Sequence, residues 1–405
     1  MLEGYLDVED QFSKRWLLQI LEGKCPKYQK LAGVKTLLNI TSEILSEDNG
    51  YMSRIYLVKL IYEYESLEYC LKVPTWHKIS GIFDSEREKS EENGEVLKLK
   101  AFHNNECNFY RLFGEHNVDG FKITHVYSFK HIDEDVSICP HILMDYFHNS
   151  GSVQIHESLN QKQLETLADQ LAIMHGYLIG NGIYVDAKQF KPFDYKHELP
   201  KEEREKLGQL IQMKIEESGD QILVSSYKKA KPVIDTQRLF EHCIKQAHLE
   251  LGIKPILCHG DLWANNALFE LDGQRRATDN LLAIIDFQLA NVGNPAQDLA
   301  RILTINCDVA VRKANEESIY EYYYTKLSSY LKKHGKRPPF TLEQLILASK
   351  SQFIVQSLFC LFFLAFHFSA PEKQQFRRIF GERARYILDD CYTIAHSHFA
   401  HLLSQ

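Results

Sequence analysis

Three residues decide what chemistry this chain could perform. Asp261 and Asn266 lie five positions apart in Ile256-Leu-Cys-His259-Gly-Asp261-Leu-Trp-Ala-Asn-Asn266, and Asp286 closes the apolar run Leu281-Leu-Ala-Ile-Ile285. A carboxylate, a carboxamide and a second carboxylate in that order match what phosphoryl transfer to a hydroxyl requires. The hydroxyl must be oriented and relieved of its proton while a divalent cation neutralises the phosphate oxygens. Asp261 is the candidate proton acceptor. Asn266 and Asp286 are the candidate metal ligands, and two suffice because magnesium keeps water and nucleotide phosphates in its other positions. A lone His-x-Asp, or an Asp after a strand, is commonly only a turn. The conjunction of strand, loop, Asp272-Gly273 turn, strand and Asp is far more specific.

These side chains need elements to carry them. Ile256 to Cys258 and Leu281 to Ile285 read as strands of a hairpin over 256–287 that feeds a polar site. Upstream, Phe12, Trp16, Leu17, Ile20 and Leu21 have helical spacing. Val34 to Leu45, Met52 to Tyr64 and Leu67 to Val73 then read as three antiparallel strands. Alternation in the third places Glu68, Cys70 and Lys72 on one face and Leu67, Tyr69, Leu71 and Val73 on the other. Lys72 is the candidate phosphate-binding lysine, and Glu106, on a helix predicted over Ala101 to Phe113, is its candidate ion-pair partner. The turn between the first two strands offers Gly50 as its one unhindered approach and Ser53 as a hydroxyl. The charged run over residues 84–98 is expected to be a surface loop.

Phe121 to Phe129 and His141 to Tyr146 supply two more strands, and the polar turn His148 to Gly151 marks the expected hinge. Beyond it the pattern is helical at Gln161 to Ile179, Glu202 to Glu217, Ile234 to Leu251, Ile319 to Lys333 and the apolar stretch Phe353 to Phe368. That stretch falls short of a membrane span and reads as a core helix. His175, on an apolar face, is expected to be a satisfied core histidine. Asn294 as cap, Pro295 at the first helical position and Asp298 in the first turn predict a helix start, with Asp298 bracing the loop that carries Asp261.

The expected class is therefore α+β and two-lobed. It divides into a helical extension over 1–30, a small antiparallel β lobe over 31–145, and a larger helical lobe over 146–405. Length and composition agree: 405 residues, 44% hydrophobic, suit two packed lobes. A net charge of −7 gives no basic face for nucleic acid, and no membrane or protein partner is expected. Nine cysteines placed singly, with an acidic N-terminus lacking a signal-like apolar region, point to a reducing, cytoplasmic setting.

With those residues in view, the chain resembles the choline kinase and aminoglycoside phosphotransferase superfamily, and within it the ecdysteroid kinase-like group, also called the CHK kinase-like group. That group carries His-Gly-Asp-x-Trp-x-x-Asn and Ile-Asp-Trp/Phe-Gln, matched here by His259 to Asn266 and by Ile285-Asp286-Phe-Gln288. Choline kinases proper tend to show His-Asn-Asp, with a glutamate after Asp-Phe, so Gly260 and Gln288 argue against choline as substrate. Gly50-Tyr-Met-Ser53, Leu71-Lys72-Val-Pro74, Asn105-Glu106 and Gly293-Asn-Pro295 extend the match in order.

The resemblance implies a two-lobed protein kinase-like fold, ATP and magnesium. It also implies a small-molecule hydroxyl acceptor of steroid, glycoside or xenobiotic type. It assigns Gly50, Ser53, Lys72, Glu106, Met144, Asp145 and Phe147 to the nucleotide, and His259 and Asp298 to structural support. Only nine positions separate Asp286 from Pro295, too few for a peptide-binding activation segment. The alternative is a catalytically silent kinase-like binding protein, suggested by the single-glycine turn.

Overall fold

Branched and aromatic residues in alternation build the first sheet. The computed structural model describes residues 4–8, 12–46, 53–75, 92–114, 118–132, 139–190, 201–369 and 375–403. Contacts divide the chain into two units, Met1–Asn117 with Ile123–His148, and Val118–Lys122 with Asn149–Gln405.

In the first unit, β1 (Asn39–Ser46), β2 (Ser53–Ile61), β3 (Ser66–Pro74), β4 (Val126–Lys130) and β5 (His141–Asp145) form an antiparallel sheet in the order β1-β2-β3-β5-β4. β3 is buried on both faces from Tyr69 onward. Tyr69, Leu71 and Val73 share a core with Leu17 and Leu21 of the helix Lys14–Lys24 and with Tyr28 and Leu31 of the helix Pro26–Ala32. Leu6, Phe12 and Cys25 of the expected helical extension also lie in this core. Trp16 meets His141 of β5 edge-on at 4.8 Å.

Two expectations change here. The helix predicted from Ala101 spans Glu92–Gly114, so residues 92–98 of the charged run are helical. Glu, Leu and Lys are good helix formers, and reading the run by charge alone overlooked that propensity. Its residues 84–91 lie outside the described part. The strand expected from Phe121 begins at Val126, because Lys122 bonds into the second unit: its N–H donates to Gln170 Oε1 (2.6 Å) and its carbonyl accepts from Ile284 (2.8 Å).

The second unit is mainly helical, with two small sheets. One pairs β7 (Ile256–Cys258) with β10 (Asn291–Gly293), and the other orders β6 (Ser150–Gly151), β8 (Ala267–Leu271) and β9 (Ala277–Ile284) as β6-β8-β9. Gln161–Asn181 begins with a capping box of Asn160 and Gln163 and ends on left-handed Gly182. The helix expected over 234–251 is broken into Gln221–Asp235, Gln237–Lys245 and Ala247–Glu250. Thr236 lies in extended backbone and donates its hydroxyl to the Pro232 carbonyl, a local bond that competes with helix continuation. The apolar stretch forms the core of Leu342–Ser369. Its segment Leu342–Phe363 is long and apolar enough to cross a membrane, yet 67% of the most apolar window is buried inside the protein. Ile354, Leu358 and Leu361 pack in its main apolar cluster with Leu223, Tyr227, Phe240 and Ile387.

Candidate active site

Each unit holds one constellation. In the first, Lys72 on β3 is buried and its Nζ lies 2.6 Å from Glu106 Oε2, while the Tyr110 hydroxyl donates to Glu106 Oε1 at 3.4 Å. β3 supplies the lysine and the helix Glu92–Gly114 the carboxylate. Burial pushes the neighbouring Cys70 thiol up to about 12, so it stays protonated. Ser53 opens β2 opposite Pro74 and is buried. Met144 on β5 pairs with Cys70, and Phe147 follows the strand half-buried. Asp145 ends β5, and its Oδ1 accepts from the Tyr127 hydroxyl at 2.5 Å. Gly50 lies outside the described residues.

In the second unit, β7 delivers the loop that carries Asp261. Its central carbonyl, Leu257 O, accepts from His175 Nε2 at 2.9 Å, and His175 Nδ1 accepts from the Tyr323 hydroxyl at 2.6 Å. Burial lowers His175 to about 4 and keeps it neutral, as those two bonds require. Next in the loop, Asp298 accepts from two successive backbone N–H groups, His259 to Oδ2 at 2.8 Å and Gly260 to Oδ1 at 2.9 Å. Burial raises the Asp298 carboxyl above its ordinary value, against the pull of His259 and those two bonds. His259 Nε2 donates to Ile285 O at 3.1 Å, and its Nδ1 accepts from the Asp261 N–H at 3.2 Å. Its ring lies 4.5 Å from that of Phe287.

Gly260 has φ +83°, and a Cβ there would sit 1.9 Å from Leu289 O and 2.6 Å from Asn291 Nδ2. Only glycine fits that backbone and that space.

Asn266 closes the loop. Its Nδ2 donates to Asp261 O at 2.8 Å, so the nitrogen is committed and the amide oxygen is the atom suited to a cation. The Asn266 carbonyl accepts from the Ile285 N–H at 3.0 Å, which ties this loop to the residue before Asp286. Asp286 itself is left-handed, φ 66° and ψ 63°. That conformation costs a non-glycine residue about 1–2 kcal/mol, and such strain gathers at functional positions. Among the described residues no three His, Cys, Asp or Glu side chains converge on a metal cage. One carboxylate with one carboxamide fits a hard cation that retains most of its water.

Sequence reasoning missed Arg301. Its Nη2 donates to Asp261 Oδ1, its Nη1 donates to Gln356 Oε1 at 3.0 Å, and its guanidinium lies 4.6 Å over the Phe359 ring. Its importance shows in the structure: the helix Gln297–Asn306 is buried from Asp298 to its end, and a buried arginine must have a partner. Asn294 is not that helix's cap, which falls at Ala296. Its Oδ1 instead accepts from the Ala296 N–H at 2.9 Å in an Asx turn, and its Nδ2 donates to Ala348 O at 3.1 Å.

Comparison with known proteins adds the following. The family model DUF1679, described as "Uncharacterized oxidoreductase dhs-27", matches residues 34–399. The Caenorhabditis elegans protein "Uncharacterized oxidoreductase dhs-27" is 25% identical over 353 residues, covering 85% of this chain and 41% of that protein. The chain therefore spans less than half of that relative. A second protein of the same organism, "Uncharacterized kinase-like protein D1044.1", is 23% identical over 340 residues, 82% of this chain and 84% of its own length. The crystal structure of choline kinase from Cryptosporidium parvum Iowa II aligns with a TM-score of 0.50 at 12% identity, covering 96% of this chain and 98% of that one. The fold is thus an α+β protein kinase-like fold, the one that this choline kinase adopts.

Proposed function

The chain belongs to the DUF1679 family, and from that premise we propose that it is an ATP-dependent phosphotransferase acting on the hydroxyl of a small molecule. One observation carries the reading. Backbone and ring hydrogen bonds lock His259, Asp261, Asn266 and Ile285 together, leaving a carboxylate, a carboxamide oxygen and a second carboxylate on adjoining backbone. This is the set of groups that phosphoryl transfer needs.

In this reading Asp261 orients the acceptor hydroxyl and takes its proton, while Asn266 and Asp286 hold magnesium. Magnesium, when bound, supplies positive charge to the phosphate oxygens. Lys72, held by Glu106, contacts the nucleotide phosphates, with Ser53, Met144 and Phe147 as further nucleotide contacts. The acceptor is of steroid, glycoside or xenobiotic type, and the setting is cytoplasmic.

The test is incubation of the protein with isotopically labelled ATP, magnesium and a fractionated cell extract, followed by profiling of labelled small molecules. A labelled product formed by the wild type and lost in Asp261→Asn supports the reading. ATP and magnesium that raise the melting temperature without any labelled product would favour a silent binding protein instead.

A further inference from the structure

We infer that Arg301 is a positioning residue for the transfer step, clamping one oxygen of Asp261 so that the other faces the hydroxyl. This inference rests on the phosphotransferase reading. Asp298 and Arg301 stand one turn apart on the helix Gln297–Asn306, and both act on the same loop. Asp298 fixes its backbone through the N–H groups of His259 and Gly260, and Arg301 fixes the side chain of Asp261. A single helix therefore sets both where the loop runs and how its carboxylate is turned.

The form of the contact argues for positioning over simple charge neutralisation. An arginine that only neutralises a carboxylate tends to bind both its oxygens through two nitrogens. Here a single nitrogen, Nη2, reaches a single oxygen, Oδ1, and Nε is buried without a hydrogen-bond partner. Gln356 on Nη1 and the Phe359 ring beneath the guanidinium hold this end-on orientation. Both belong to the helix Leu342–Ser369. Asp261 Oδ2 is left 3.4 Å from Asn266 Nδ2, at the edge of hydrogen-bond range, so it remains the oxygen available to a substrate.

The chemistry fits a clamped base. In a loose transition state the bond from γ-phosphorus to the ADP oxygen is largely broken before the new oxygen–phosphorus bond forms, and the hydroxyl proton passes late to Oδ2. Orientation then matters more than basicity. A misplacement of about 1 Å at such a group can cost about 100-fold in rate.

The experiment uses the full chain, with magnesium and γ-labelled ATP, and follows label transferred to water and to extract acceptors. Arg301→Met is expected to lower kcat by about 100-fold while KM for ATP stays within about twofold. Arg301→Lys should recover part of the rate, because an ammonium can pair with Oδ1 but cannot also bond Gln356 in the same plane. The double variant Asp261→Asn with Arg301→Met should be no slower than Asp261→Asn alone, since the arginine acts only through that carboxylate.

Multiplicative losses in the double variant, or an unchanged kcat in Arg301→Met, would overturn the inference. Should Arg301→Met fail to fold, Gln356→Leu is read in its place: a kcat reduced about threefold to tenfold at constant KM supports the clamp, and an unchanged kcat rejects it. A wild type that transfers label to nothing sinks the phosphotransferase reading, and this inference with it.

Discussion

Each constellation holds a buried ion pair, but the two differ in what else positions the reacting groups. In the first unit, Lys72 and Glu106 are both nearly inaccessible and lie against each other, so the group that would hold phosphate also keeps a buried carboxylate compensated. In the second unit, Asp261, Asn266 and Asp286 are carried by other groups: Asp298 takes two backbone N–H groups, His259 uses both ring nitrogens, and Ile285 bonds Asn266. The contrast separates two design problems. In the first unit one ion pair carries both tasks; in the second the backbone of the loop is held by groups that do no chemistry, and the Asp261 carboxylate, paired with Arg301, is where the two tasks meet.

Mutation can test that contrast, and the largest effect is expected at Asp261. Asp261→Asn keeps an oxygen for Arg301 but removes the charge that compensates it, so it should lower turnover by about 10²–10⁴-fold and cost up to about 3–5 kcal/mol in denaturant unfolding. Unchanged stability would show that Arg301 is compensated elsewhere and that the reacting group carries none of the fold. At Lys72 stability is again at stake. Lys72→Met leaves Glu106 buried without its ammonium and should cost about 3–5 kcal/mol, with Lys72→Met/Glu106→Gln recovering most of it. Equal stability of the single and double variants would remove the contrast.

Acid sharpens it further. His175 sits at about 4 when folded against 6.5 for the free side chain, so the unfolded chain binds the extra proton between those values. Its contribution is complete above pH 6.5 and disappears as pH falls toward 4, a change of about 3 kcal/mol. Unfolding followed from pH 7.5 to 4 should show a shallower loss in His175→Gln than in wild type. Identical slopes would mean that this ring is not kept neutral by burial.

The smallest effect belongs to Asp298→Asn, which leaves one of the His259 and Gly260 N–H groups unpaired. It should cost about 1–3 kcal/mol, with a fall in kcat and little change in KM for ATP. A change confined to KM would place Asp298 on substrate binding instead.

How much of this was legible depended on how local the signal is. Asp261, Asn266 and Asp286 sit within thirty residues of one another in a strand–loop–strand pattern, and Lys72 sits on a strand marked by alternation; such periods can be read directly. Arg301 could be located only by knowing that its helix is buried on every side and that Gln356, 55 positions away, meets it. The pairing of β10 with β7 was equally hidden, because Asn291-Val-Gly293 has little strand propensity and is held by its partner. Asn294 was misassigned for a related reason: its capping chemistry is real, but serves a turn whose other contact, Ala348, is distant in sequence. The helical spacing from Phe12 to Leu21 marked an apolar face, but not its partner, because the sheet that covers it is specified elsewhere.

The crowding at Gly260 constrains which variants of this loop can fold. With Leu289 O where any β-carbon would go, no side chain at position 260 is accommodated unless residues 289–291 shift. Libraries meant to redirect this protein should therefore leave position 260 fixed, or vary it only together with residues 289–291.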